Sequence, residues 1–199
     1  PRSHDEVVKI VGFCSEERIA IIPVGGQSSV TGALRAPQGG IALDLTKHIN
    51  RILKINSVNK TVTVQAGIYG PVLEEELNRH GYTCGHFPQS FEYSTVGGWV
   101  SAKGAGQAST GYGKIEDMVV ALTAVTPAGV IETRDFPRTA QGWDLFRLFA
   151  GAEGTLGVIT EVTLHIFNYA PQNTTLAAFI FRSFEQAVET MRKMIQSEY

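Results

Sequence analysis

Residues Pro23, Val24, Gly25, Gly26, Gln27, Ser28 and Ser29, continued by Val30, Thr31 and Gly32, are of the kinds that cradle an anion. Adjacent glycines let successive backbone N–H groups converge, and Ser28, Ser29 and Thr31 add hydroxyl donors. The stretch follows the apolar run IAIIP, which reads as a buried strand. It contains no Gly-Lys-[Ser/Thr], which disfavours nucleotide hydrolysis. No G-x-G-x-x-G follows a strand, so a standard dinucleotide fold is unsupported. Taken alone, the loop is explained equally well as a polar turn between strands.

Two further glycine-rich stretches suggest a larger ligand. The first is GHFPQSFEYSTVGGWVSAKGAGQASTGYGKIED, which begins at Gly85. It reads as too glycine-rich for a helix and too long for a simple turn, and such loops in compact domains are usually functional or disordered. Disorder fits poorly, because Phe87, Phe91, Tyr93, Val96, Trp99 and Val100 demand burial. With hydroxyls at Ser90, Ser94, Thr95, Ser101 and Ser109, the stretch suits a large planar cofactor with a charged tail. In GAEGTLGVIT, glycines at 151, 154 and 157 allow backbone to run against the same ligand.

Other reactive side chains have plainer explanations. His86, in a Gly-His-Phe-Pro turn, is expected to be structural rather than catalytic. His4, His48, His80 and His165 share no ligand spacing, so no metal site is expected. Glu74, Glu75 and Glu76 read as a solvated helix face, and Glu116 and Asp117 as capping or ion-pairing acids. Trp99 suits a cofactor stack and a core position equally. Cys14 and Cys84 match no metal motif and are expected to be reduced and partly buried.

The elements around these stretches are legible from periodicity. Ser3 with Glu6 predicts a capping box opening a helix that carries Val7, Val8, Ile10, Val11 and Phe13. Strands are predicted at Ile41 to Leu45, near Ile52 to Ile55, and at KTVTVQ. A helix is predicted in GPVLEEELNRHGY, with Pro71 in its first turn and Gly81 after its end. Two strands flank the turn Pro127-Ala128-Gly129. A short helix in GWDLFRLFAGAEG and a strand in GTLGVITEVTLHIF follow. The last segment, from Thr174 on, predicts a strand and then an amphipathic helix with Phe184, Ala187, Val188, Met191 and Ile195 on one stripe. That stripe needs a partner, so a truncated second domain is expected.

The net charge of -2 and the lack of a basic run give nucleic-acid binding little support. No apolar stretch nears the roughly 20 residues of a membrane helix. The start of the chain lacks a secretory pattern, so either an intracellular setting or a leader removed by processing is expected.

Three blocks in this order, PVGGQSSVTGAL, PQSFEYSTVGGWVSAKGAGQ…GYGKIEDMV and GAEGTLGVITEVTLHI, resemble the FAD-binding domain of the vanillyl-alcohol-oxidase-type flavoproteins. Within that superfamily, GHFPQSFEYSTVGGWVS, YGKIEDMVV and EGTLGVITE are most similar to the alkyldihydroxyacetonephosphate synthases and their bacterial homologues. The resemblance implies an α+β fold. Residues 1–168 would form the FAD-binding domain, with 1–65 and 66–168 as two α+β subdomains. Residues 169–199 would open a cap domain that is otherwise absent.

The resemblance also implies residue roles. Pro23 to Ser29 would surround the FAD pyrophosphate. Gln89, Ser90, Phe91, Glu92, Tyr93, Ser94 and Thr95 would line the adenine-ribityl side and the approach to the flavin, with Gly97 and Gly98 pressed against the cofactor. Ala102, Lys103, Gly104 and Ala105 would contact flavin or ribityl through their backbone, since the family often has arginine and serine there. Glu153, Gly154, Thr155, Leu156, Gly157, Val158 and Ile159 would lie along the adenosine end. Gln27 stands where covalently flavinylated members often carry histidine, which implies non-covalent FAD.

The implied reaction exchanges the acyl group of acyl-dihydroxyacetone phosphate for a fatty alcohol, through an adduct on flavin N5. The alternative is a 2-hydroxy-acid dehydrogenase or oxidase of the glycolate or D-lactate type. No catalytic acid or base is assigned, because the family's substrate-facing side chains come mainly from the cap domain. A small-molecule substrate, a cytoplasmic location (peroxisomal in a eukaryote) and a homodimer of the full-length protein complete the expectation.

Overall fold

A computed structural model describes residues 1–136 and 140–197. The chain forms two units, Pro1–Tyr169 and Ala170–Tyr199. In the first unit, α1 (His4–Glu16) opens where the Ser3 hydroxyl accepts the Glu6 N–H at 3.3 Å. The reciprocal half of the expected box is not made with Ser3, because the Glu6 carboxylate accepts the Arg2 N–H instead. Val7, Val11 and Cys14 bury one face of the helix.

Strands β1 (Ile21–Val24) and β2 (Ile41–Asp44) pair in parallel. Two hairpins follow along the chain. One joins β3 (Ile52–Asn56) to β4 (Thr61–Gln65). Between the hairpins lie α2 (Gly70–Arg79), β5 (Tyr82–Thr83), α3 (Val96–Ala102) and two single-turn helices, α4 (Ser109–Tyr112) and α5 (Ile115–Met118). The second hairpin joins β6 (Val119–Thr126) to β7 (Gly129–Glu132). After a single-turn helix α6 (Phe146–Phe149), β8 (Val158–His165) inserts between the hairpins. The result is an antiparallel sheet in the order β3-β4-β8-β6-β7. Strand β9 (Phe167–Asn168) pairs with β5.

The core is built from alternate residues of the central strands. Val62, Val64, Val162, Leu164, Leu122 and Ala124 pack with Leu73 and Leu77 of α2 and with Val96 and Val100 of α3. Each such side chain contributes about 1.5–3 kcal/mol by leaving water. A subdomain boundary at position 65 would cut this sheet, because β4 hydrogen-bonds to β8 from Thr61↔His165 to Gln65↔Glu161.

Three expectations are corrected. The stretch after Gly85 is not free of helix: Val96–Ala102 is helical despite Gly97 and Gly98. The Thr95 hydroxyl caps it, accepting the Gly98 N–H at 3.3 Å. Glu74 is not solvated. It is 8% exposed, and its carboxylate accepts hydrogen bonds from the Thr83 hydroxyl and, at 3.0 Å, from the Cys84 N–H. In the second unit, no strand forms between Thr174 and Arg182, and the described regular structure is a 3₁₀ turn at Pro171–Asn173 and α7 (Phe184–Gln196). Ser183 caps α7 by accepting the Gln186 N–H. Among the described residues, no helix is long and apolar enough to cross a membrane.

Candidate functional site

A cavity of about 330 Å³ opens where the three glycine-rich stretches meet. That volume is at the lower end of the range for small-molecule sites. The loop after β1 forms one side, from Pro23 to Leu34. Helix α3 and its flanks form the floor through Ser94, Thr95, Gly97, Gly98, Trp99, Ser101, Ala102 and Gly104. The turn before β8 forms the other side through Ala152, Glu153, Gly154, Gly157 and Ile159.

Close backbone contact brings the walls together. A Cβ on Gly26 would overlap the carbonyl oxygen of Tyr93, so only glycine lets the first loop rest on the second stretch. A Cβ on Gly97 would fall 2.7 Å from the Ala66 Cβ and 2.9 Å from the Ala66 carbonyl oxygen. Without that Cβ, the Gly97 N–H reaches the Ala66 carbonyl at 2.8 Å, which ties α3 to the end of β4. Gly154 adopts φ +84° and lies against Pro23.

The chemistry of this wall is that of amides and hydroxyls. Among the described residues, none accepts a hydrogen bond from the backbone N–H groups of residues 25–31. Ser28, Ser29 and Thr31 stand in the same loop, and Glu153 is the only charged residue on the wall among the described residues. An anion here would therefore meet neutral donors rather than cations.

The expected site residues divide over this geometry. Pro23, Val24, Gly25, Gly26, Gln27, Ser28, Ser29, Ser90, Ser94, Thr95, Gly97, Gly98, Ala102, Gly104, Glu153, Gly154, Gly157 and Ile159 are on the wall. Gln89, Phe91, Glu92, Tyr93, Lys103, Ala105, Thr155, Leu156 and Val158 are off it. Among these, Phe91 stacks on Trp99 with centroids 6.1 Å apart, the stem of Lys103 lies beside Gly151, and Val158 is buried in the core. Leu45, Ala66, Pro88 and Phe149 line the cavity without having been singled out in the sequence. The small pair Ala66-Gly67 directly after β4 was the available signal for Ala66.

Behind the floor, Trp99 donates its indole N–H to the Ser94 hydroxyl at 2.6 Å and meets the His86 ring edge-on at 4.9 Å. The tryptophan thus serves core and cavity together. His86 is 1% exposed, and neither of its ring nitrogens has a hydrogen-bond partner among the described residues. Burial pulls its pKa from 6.5 down to about 4, against the opposing charge of Glu116, so the ring is neutral at pH 7. Burial, reinforced by the charge of Glu74, pushes the Cys84 thiol up to about 12, so it is no nucleophile. Cys14 and Cys84 are both free and buried. Glu116 pairs with Lys114 at 2.8 Å. Among the described residues, no cluster of His, Cys, Asp and Glu could hold a metal ion.

Comparison with known proteins gives the chain its cofactor, FAD. The family described as the FAD binding domain matches residues 1–134. An alkyldihydroxyacetonephosphate synthase of Caenorhabditis elegans is 43% identical over 98% of this chain and 33% of its own length. A glycolate oxidase subunit, GlcD, of Bacillus subtilis is 33% identical over 100% of this chain and 42% of its own length. A solved structure of an alkyldihydroxyacetonephosphate synthase superposes with a TM-score of 0.87 at 34% identity, over 100% of this chain and 36% of that one. The chain thus spans about a third of the length of the synthases it matches. With the family match running through β1, the first glycine-rich loop and α3, the chain belongs to the FAD-binding domain family of flavoenzymes.

Proposed function

We propose that this chain is the cofactor-binding part of a flavoenzyme that exchanges the acyl group of acyl-dihydroxyacetone phosphate for a fatty alcohol, a step that makes an ether lipid. The observation that carries this reading is the 43% identity to the C. elegans synthase across nearly the whole chain, against 33% to the glycolate oxidase subunit. The second relative supports the alternative, oxidation of a 2-hydroxy acid by an FAD-linked dehydrogenase or oxidase.

The cavity's donor set fits FAD. In this reading the N–H groups of residues 25–29 and the Ser28 hydroxyl hold the pyrophosphate, which suits neutral donors on a glycine-freed backbone. Gly97, Gly98, Ala102 and Gly104 let the α3 backbone approach the flavin side. Glu153, Gly154, Gly157 and Ile159 border the adenosine side. Bound FAD supplies the ring system at which the substrate reacts, while the glycine-rich loop and the α3 backbone bind it, orient it and exclude water from one face.

Gln27 carries an amide, which does not attack a flavin methyl group, so the cofactor is held without a covalent link. Acid or heat should release free flavin from the polypeptide, and flavin that stays with the precipitated protein would overturn this point. The deciding assay gives the full-length protein acyl-dihydroxyacetone phosphate with a fatty alcohol, or D-lactate or glycolate with a dye acceptor. Alkyl exchange without dye reduction is expected, and dye reduction without exchange would establish the alternative.

A further inference from the structure

The first glycine-rich loop is tied to the far wall at one point. Thr31 donates its hydroxyl hydrogen to the Glu153 carboxylate at 3.3 Å, across 122 residues of sequence. The Ser29 hydroxyl lies 3.0 Å from the Thr31 oxygen and completes a chain of three side chains. Among the described residues this is the only hydrogen bond that leaves the loop between residues 25 and 31. Val30, between the two hydroxyl residues, is 99% exposed, so packing does not hold the tip.

Glu153 is held more firmly at its other end. Its N–H donates to the Ser101 carbonyl at 2.9 Å, which ties it to the end of α3. Its φ is +48°, a left-handed conformation that costs a non-glycine residue about 1–2 kcal/mol. Glycine lies on both sides of this turn, at 151 and 154, yet position 153 keeps a side chain that needs this backbone strain. It is also the only charged residue on the wall among the described residues, and its charge has the sign that a pyrophosphate would repel.

We propose that Thr31 and Glu153 form a clasp across the mouth of the cavity, and that opening it sets how fast FAD enters and leaves. The proposal rests on the FAD reading of the cavity. A closed clasp spans the path between the loop and the turn, so both directions of exchange require it to open. Its breakage then speeds association and dissociation together and leaves the equilibrium affinity nearly unchanged. A carboxylate that instead held the cofactor directly would affect dissociation alone.

The test uses full-length protein stripped of flavin and follows flavin fluorescence on mixing with FAD and on displacement. Thr31→Val and Glu153→Ala should each raise both rate constants by about 2- to 10-fold, as expected for one exposed hydrogen bond. The double variant should change no further than either single one, because both remove the same bond. Glu153→Gln, which still accepts from Thr31, should stay within about 2-fold of the parent and shows that the turn has kept its form. A rise in dissociation alone, or an effect of Glu153→Ala that Thr31→Val does not share, would overturn the clasp. Failure of the parent protein to bind FAD would overturn the cofactor reading instead.

Discussion

Two glycine-rich regions face the same cavity and are built in opposite ways. Residues 25–31 are a loop whose amide groups find no protein acceptor among the described residues, and its tip is exposed. The stretch from Cys84 to Gly104 is packed: His86, Val96, Trp99 and Val100 are nearly inaccessible, and Gly97 lies against Ala66. Glycine in the loop accompanies backbone donors that no described residue engages. In the packed stretch it removes a side chain so that a helix can sit on the end of a strand. The binding surface is therefore soft on one side and rigid on the other, and substitutions on the two sides should fail differently.

The largest expected effect is on the rigid side. Folded His86 takes up a proton only near pH 4, while the unfolded chain takes it up near 6.5. The unfolded state binds more protons between these values, so stability should fall as pH drops from 6.5 towards 4. The fall is about 3 kcal/mol in all, with no slope from this group above that window. Denaturant midpoints measured across this range should lose that share of their slope in His86→Leu, and an unchanged slope would show that the ring is not held neutral by burial. Gly97→Ala comes next. Its methyl meets backbone as well as the Ala66 side chain, which outweighs the better helix propensity of alanine. It should cost about 1–3 kcal/mol, or roughly 3–9 °C in melting temperature for a chain of this size. Gly26→Ala should show the reverse pattern. With so little holding the loop, its displacement from Tyr93 should shift the melting temperature by less than about 2 °C, yet weaken FAD by about tenfold, near 1.4 kcal/mol. Equal behaviour of the two glycine variants in calorimetry and titration would erase the distinction between the regions.

Much of this architecture could be read from periodicity, and the exceptions have physical causes. The two hairpins and β8 announced themselves through apolar runs and alternation, and α1 and α2 through their caps. Helix α3 did not, because Gly97 and Gly98 each forfeit about 1 kcal/mol of propensity. Packing on Ala66 and the Thr95 cap supply what propensity lacks. The strand expected after Thr174 failed for the converse reason: strand propensity is largely a measure of packing against neighbours, and this segment pairs with no described strand. Glu74 was misread from composition although spacing held the answer. Gly70, Leu73, Glu74 and Leu77 lie at helical intervals on the buried face of α2. The loop at 24–34 stood out by its glycines and lines the cavity, while Leu45 and Phe149 reached the wall only through long-range folding that no local pattern encodes.

The order of the central sheet has a consequence for biosynthesis. Strands β3 and β4 form one hairpin and β6 and β7 another, and β8, made last, is the strand that both must wait for. The side-chain bond between Thr63 and Thr163 closes only when a residue 100 positions later has left the ribosome. At about 5–20 residues per second, that interval is roughly 5–20 s. Throughout it, the β3–β4 hairpin exposes the strand edge that β8 will cover, joined by the edge of β6 once the second hairpin is made, and such an edge pairs readily with other chains. Codon changes that slow translation between positions 65 and 158 should therefore raise aggregation of the nascent chain before they alter the finished protein.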